Sequence, residues 1–177
     1  MMGARVLFNI NQTSFTNADE TCRMFIESLS DMGMNFYEPF DVSGYDAYHQ
    51  EPMFNRAWIS TNRLTNRYKF IEDLLRTDMM GGNNAFGFSI NLIQYCERTI
   101  SDPSNPNILV DEFVNIALPQ TITTERRNYF KFVLNADLPD MNWTVEWSRR
   151  NNPGSAVPMQ LQKFFNAVLQ SPEYQLF

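Results

Sequence analysis

The sequence predicts an all-α protein: an irregular array of six or seven short helices with one long ordered, aromatic-rich loop. Two observations carry this. Apolar residues recur at three-and-four spacing in one segment after another, as on the buried face of a helix. No segment shows the alternation of a half-buried strand, and the breaks between segments are rich in Pro and Asn.

Residues 3–14 form a short apolar run with a polar tail, a helix remnant or an extended lead-in. The first clear helix starts at Asn17, an N-cap residue with Glu20 placed to complete a capping box. Its stripe is Cys22, Phe25, Ile26, Leu29 and Met32, and Gly33 ends it as the residue after the C-cap. From Met34 to Asn55 the helical period disappears. Pro39, Gly44 and Pro52 punctuate this stretch, and Phe36, Tyr37, Phe40, Tyr45, Tyr48 and Phe54 crowd it. A loop with that much aromatic surface either packs on something or binds something.

Trp58 and Ile59 lead into a second helix, capped by Ser60 or Thr61, with Leu64, Tyr68, Ile71, Leu74 and Leu75 as its stripe and Arg67 inside it. Residues 77–87 read as a flexible loop. A helix over 89–100 presents Leu92, Ile93, Cys96 and Ile100, and one over 108–118 stops at Pro119. Thr123 caps the next, whose face is Tyr129, Phe130, Val133 and Leu134. After a turn at 137–140, Trp143 and Trp147 stand one helical turn apart on a short helix, as core residues. The last helix, 157–170, carries Leu161, Phe164, Phe165, Val168 and Leu169.

Composition narrows function by exclusion. Hydrophobic residues make up 44% and aromatic residues 14% of the chain, enough for a packed core, so global disorder is excluded. The net charge of −6 argues against nucleic acid as a partner, and no apolar run is long enough to span a membrane. The opening residues, Met1 to Arg5, carry no long apolar stretch, so no signal peptide is expected in this chain. The single His49 rules out a multi-histidine zinc site, and no metal or cofactor motif is present. Cys22 and Cys96 allow one disulfide or none; both fall on apolar faces and are expected as buried thiols. The pairs Arg126–Arg127 and Arg149–Arg150 read as solvated charges.

The densest polar set is Asp41, Asp46, His49, Gln50 and Glu51, in the loop before Trp58. Two readings fit it. In one, Asp41, Tyr45, Asp46, His49 and Trp58 form a binding site, with rings stacking on a sugar or apolar ligand and carboxylates accepting hydrogen bonds. In the other, the aromatic residues anchor irregular backbone whose N–H groups the polar side chains satisfy. Pro39, Gly44, Trp58 and Arg67 then act as a structural motif. Arg67, with five donors, is expected to pin the loop through Asp41 and loop carbonyls.

The stretch Tyr37-Glu38-Pro39-Phe40-Asp41-Val42-Ser43-Gly44-Tyr45, followed by Trp58-Ile59-Ser60-Thr61, Leu64 and Arg67, resembles the signature of the bacterial domain-of-unknown-function 1800 family. The closing Gln160-Leu161 through Ser171-Pro172-Glu173-Tyr174-Gln175-Leu176 resembles that family's ending. Tyr48-His49-Gln50-Glu51-Pro52 resembles a variant loop of Bacteroidetes-type members. The chain departs from the pattern at Phe40, where a second Pro is usual, and at Tyr45, where Trp is usual.

The resemblance implies a helical, exported protein, periplasmic or at the cell surface, of which residues 1–177 are one helical region. By the resemblance that region is expected to be the C-terminal part of a larger domain, with its N-terminal part missing. It also implies a partner encoded nearby that is similar to sulfatases and phosphatases. Function is then expected to be that of a non-catalytic accessory module working with this hydrolase-like partner, at the cell surface or on polysaccharide. The alternative is a hydrolase acting on an extracellular polymer, with Asp41, Asp46 and His49 as acid–base groups.

Overall fold

A computed structural model describes residues 18–33, 60–76 and 90–175 of the chain. Among them are eight α-helices and no strand: α1 (Ala18–Asp31), α2 (Thr61–Leu75), α3 (Leu92–Thr99), α4 (Pro106–Ala117), α5 (Thr124–Asn135), α6 (Asp140–Ser148), α7 (Val157–Leu169) and α8 (Pro172–Gln175). The fold class is therefore the one the periodicity predicts. The eighth helix is the single turn α8, too short to show a period.

Local chemistry sets most helix starts. The side chains of Ser60, Asn91, Asn105 and Thr123 each accept a hydrogen bond from a backbone N–H in the first turn that follows. Asn105 caps a helix that begins at Pro106, two residues before the expected start, because proline's missing N–H costs nothing in the first turn. Asn91 likewise moves the start of α3 beyond the expected residue 89. Gly33 ends α1 with φ of 81°, as its position predicts. The C-cap of α5 is less ordinary: Ala136 and Asp137 both adopt left-handed conformations, φ 50° and 60°.

α7 is the hub. It packs against α2, α3, α4, α5 and α8, and it buries Val157, Pro158, Leu161, Phe164, Phe165, Val168 and Leu169. Its rings meet those of its neighbours. Phe165 lies 3.9 Å from Phe113 of α4 and 5.5 Å, edge-on, from Tyr95 of α3, by centroid. Edge-on contacts like that of Phe165 with Tyr95 add to the transfer free energy of the buried area. Trp143 and Trp147 point inward from α6, as expected. The Trp143 indole N–H donates to the Pro103 carbonyl at 2.9 Å, so the loop before α4 is tied to α6.

Three expectations are corrected. Cys22 is an exposed free thiol, and only Cys96 is buried. Ile26 is 65% exposed, because α1 has one principal packing surface, against α2, and Ile26 lies away from it. The arginine pairs are not simply solvated. Arg127 pairs with Asp111 of α4, Arg126 with Glu173 of α8, and Arg150 with Glu97 of α3. Each therefore ties its own helix or helix end to a neighbour.

Candidate functional site

Of the residues singled out from sequence, Arg67 is described. Asp41, Tyr45, Asp46, His49 and Trp58, together with Pro39 and Gly44, lie outside the described residues, and so does any bond from Arg67 to Asp41. Arg67 stands half-buried on α2, and its guanidinium donates to the Gln175 carbonyl at 3.4 Å. Carbonyls at a helix C-terminus lack intrahelical partners and carry partial negative charge, so an arginine is well suited there. A second bond runs beside it. The Gln170 amide donates to the Tyr68 carbonyl at 3.3 Å and to the Glu72 carboxylate at 3.1 Å. The helix that opens with Ser60 and the closing stretch 170–175 thus form one junction. Sequence reasoning marked both ends of it without joining them, because over a hundred residues separate them.

A second assembly lies on α5. Glu125, Asn128, Tyr129 and Phe132 recur at three-and-four spacing and are all exposed, so they form the solvent face of this helix. Tyr129 was expected to face the core but is 46% exposed, and Phe132 is 54% exposed. Phe130 and Leu134 take the inward face instead. The polar company of Glu125 and Asn128 was the available signal that this stripe faces outward. Tyr129 is nonetheless held in place. The Arg126 guanidinium lies 4.9 Å from the Tyr129 ring centroid and 4.9 Å from that of Phe130. Its Nε reaches the Glu173 carboxylate at 2.9 Å. Burial pushes the Glu173 pKa up, but its own N–H, the Arg126 guanidinium and the Ser171 hydroxyl outweigh this and hold it below the ordinary value.

Every resolved shift among the described residues moves a group away from neutrality. Burial raises the Tyr95 hydroxyl to about 12 and pushes the Cys96 thiol up. Hydrogen bonds from Ser101 lower Glu112, its own N–H and Thr123 lower Glu125, and Lys131 and Asn107 lower Asp140. These groups hold fixed charge states at pH 7; a general acid or base needs a pKa near the working pH. No group of three or more His, Cys, Asp or Glu side chains converges to hold a metal ion among the described residues. No described helix is long and apolar enough to cross a membrane. What the α5 face offers is ring surface flanked by hydrogen-bonding groups, an arrangement for contact.

A family model described as protein of unknown function (DUF1800) matches residues 5–176, and the chain belongs to that family. No curated protein and no solved structure matches it.

Proposed function

We propose that this member of the family is a non-catalytic accessory module that contacts polysaccharide through the outer face of α5. There it serves a hydrolase-like partner similar to sulfatases and phosphatases. The observation that carries this reading is the exposed stripe Glu125, Asn128, Tyr129, Phe132, with the Tyr129 ring braced from one side by Arg126. A braced ring loses little freedom on binding, and a pyranose presents an apolar C–H face that stacks on it while its hydroxyls reach flanking polar groups. The setting is bacterial and exported, in the periplasm or at the cell surface. It is supported by the pattern of Pro39, Gly44, Trp58 and Arg67 and by the resemblance of residues 48–52 to a loop of Bacteroidetes-type members. In this reading the chain is the helical part of a larger protein.

Affinity electrophoresis through gels containing soluble polysaccharides tests the binding, and co-purification with the hydrolase-like neighbour tests the partnership. The whole chain is expected to be retarded by at least one polysaccharide. Tyr129→Ala and Phe132→Ala are expected to lose about tenfold in affinity each while melting close to the parent, since both rings are exposed. Unchanged migration of the parent in every gel, or hydrolysis of the polymer by the chain alone, overturns the proposal.

A further inference from the structure

A different face, that of α6, carries a second apolar surface. With 100° per residue, Met141, Val145, Ser148 and Arg149 fall on the side of α6 opposite Trp143 and Trp147. All four are exposed, Met141 at 75% and Val145 at 43%. Leu138, 49% exposed, and Asp137 precede the helix at the same end as Met141. Leu138, Met141 and Val145 thus leave a narrow apolar strip on the outer side, flanked by polar residues. The inner side is covered and stiff. Trp143 is tied to Pro103, and the Thr144 hydroxyl donates to the Ser104 carbonyl at 3.0 Å. Asp140 accepts from Asn107 and pairs with Lys131.

The charges at the two ends of the outer stripe decide what covers it. Arg150 is committed inward, 2.7 Å from Glu97 and over the Trp147 ring. Arg149 and Asp137, both exposed, make no ion pair among the described residues, and they are opposite in sign at opposite ends of the stripe. Run antiparallel against itself about the level of Trp143, the stripe is self-complementary. The Asp137 end meets the Arg149 end of a second copy, and Met141 meets Val145 between them. The parallel arrangement would instead place Asp137 on Asp137 and Arg149 on Arg149, like charge on like.

We infer that the outer face of α6 docks on the same face of a second copy of this chain, antiparallel across a two-fold axis, with two Asp137–Arg149 pairs closing its ends. Three apolar side chains per copy fall well short of the roughly 800 Å² per partner of a standard interface. The dimer is therefore weak and concentration-dependent.

Sedimentation equilibrium of the whole chain from about 10 μM to about 1 mM reads this directly. The mean mass is expected to climb toward two chains, and to stay at one for Met141→Asp, for Arg149→Asp and for Asp137→Lys, each alone. An equimolar mixture of the Arg149→Asp and Asp137→Lys chains is expected to restore the dimer, because each then supplies what the other lacks at both ends. Asp137 sits at positive φ, which Lys tolerates less well than Asp, so a trapping experiment stands beside it. In a Cys22→Ser background, the Met141→Cys and Val145→Cys chains are expected to form a disulfide faster when mixed than either does alone. A parent that stays monomeric throughout, a dimer that survives Met141→Asp, or trapping no faster in the mixture overturns the inference.

Discussion

Gly33 carries φ of 81°, and a Cβ built there would meet the Arg63 Nε at 2.5 Å. Two effects therefore oppose any side chain: the left-handed backbone and the guanidinium laid across the end of α1. Gly33→Ala is expected to loosen α1 by about 1–2 kcal/mol, read as faster amide exchange across 18–33. At the end of α5 the reverse holds. Ala136 occupies left-handed space without being glycine, so Ala136→Gly is expected to stabilise by about 0.5 kcal/mol, the strain relieved outweighing the added freedom of the unfolded chain. A small rise in melting temperature checks it. Tyr95 is buried, and its hydroxyl, beside Thr99, makes no well-formed hydrogen bond. Its pKa stands near 12 against an ordinary 10.0, so the unfolded chain releases this proton first. Its contribution is complete below pH 10 and is lost as the pH rises through about 12. Tyr95→Phe is expected to raise stability at neutral pH by about 1 kcal/mol and to soften the alkaline fall. Urea melts at pH 7 and in that alkaline window measure both effects.

At the scale of the helix, α6 separates two roles by side. Trp143→Phe removes inward volume and the bond to the Pro103 carbonyl, and is expected to cost about 2–4 kcal/mol. Met141→Asp, on the other side, is expected to change stability by less than about 0.5 kcal/mol; thermal melts of the two variants check the contrast. The inward side was legible in the sequence, because two tryptophans one turn apart announce a buried stripe. The outward side was not, since Met141 and Val145 are too few to set a period of their own. Helix starts at Ser60 and Thr123 were legible because a side-chain cap is a local event. The start at Pro106 was misread because the cap, Asn105, stood within a run of polar residues that looked like a plain break. Tyr129 was misassigned because α5 has apolar residues on both sides, and the polar Glu125 and Asn128 on its own side were passed over. The loop residues Asp41 to Trp58 were legible as a dense cluster, but periodicity says nothing about how such a cluster is arranged.

Across the whole molecule, ion pairs tie α5 to α4, α6 and α8, and α6 to α3. The carboxyls of Glu112, Glu125, Asp140 and Glu173 are all held below their ordinary values. A lowered pKa means that the unfolded chain takes up the proton first as pH falls. This stabilisation is therefore complete above the ordinary values of 4.5 for Glu and 3.8 for Asp, and is lost as pH drops through the lower folded ones. Melting temperature is expected to be flat from pH 7 to about 5 and to fall below that, with a shallower acid limb for Asp140→Asn; an Asp140→Asn curve that overlays the parent contradicts this. The hub position of α7 also bears on how the protein is made. α7 follows α2 to α5 in the chain, yet it supplies the surface on which they pack, and Gln170 closes on Tyr68 across 102 residues. A ribosome adding about 5–20 residues per second leaves α2 without its main neighbour for several seconds to some twenty. During that interval Ile71, Leu74 and Leu75 lack the cover of α7, and α1 is the described neighbour already made. The nascent chain is therefore expected to acquire protease resistance in one late step, when α7 clears the exit tunnel, and not helix by helix.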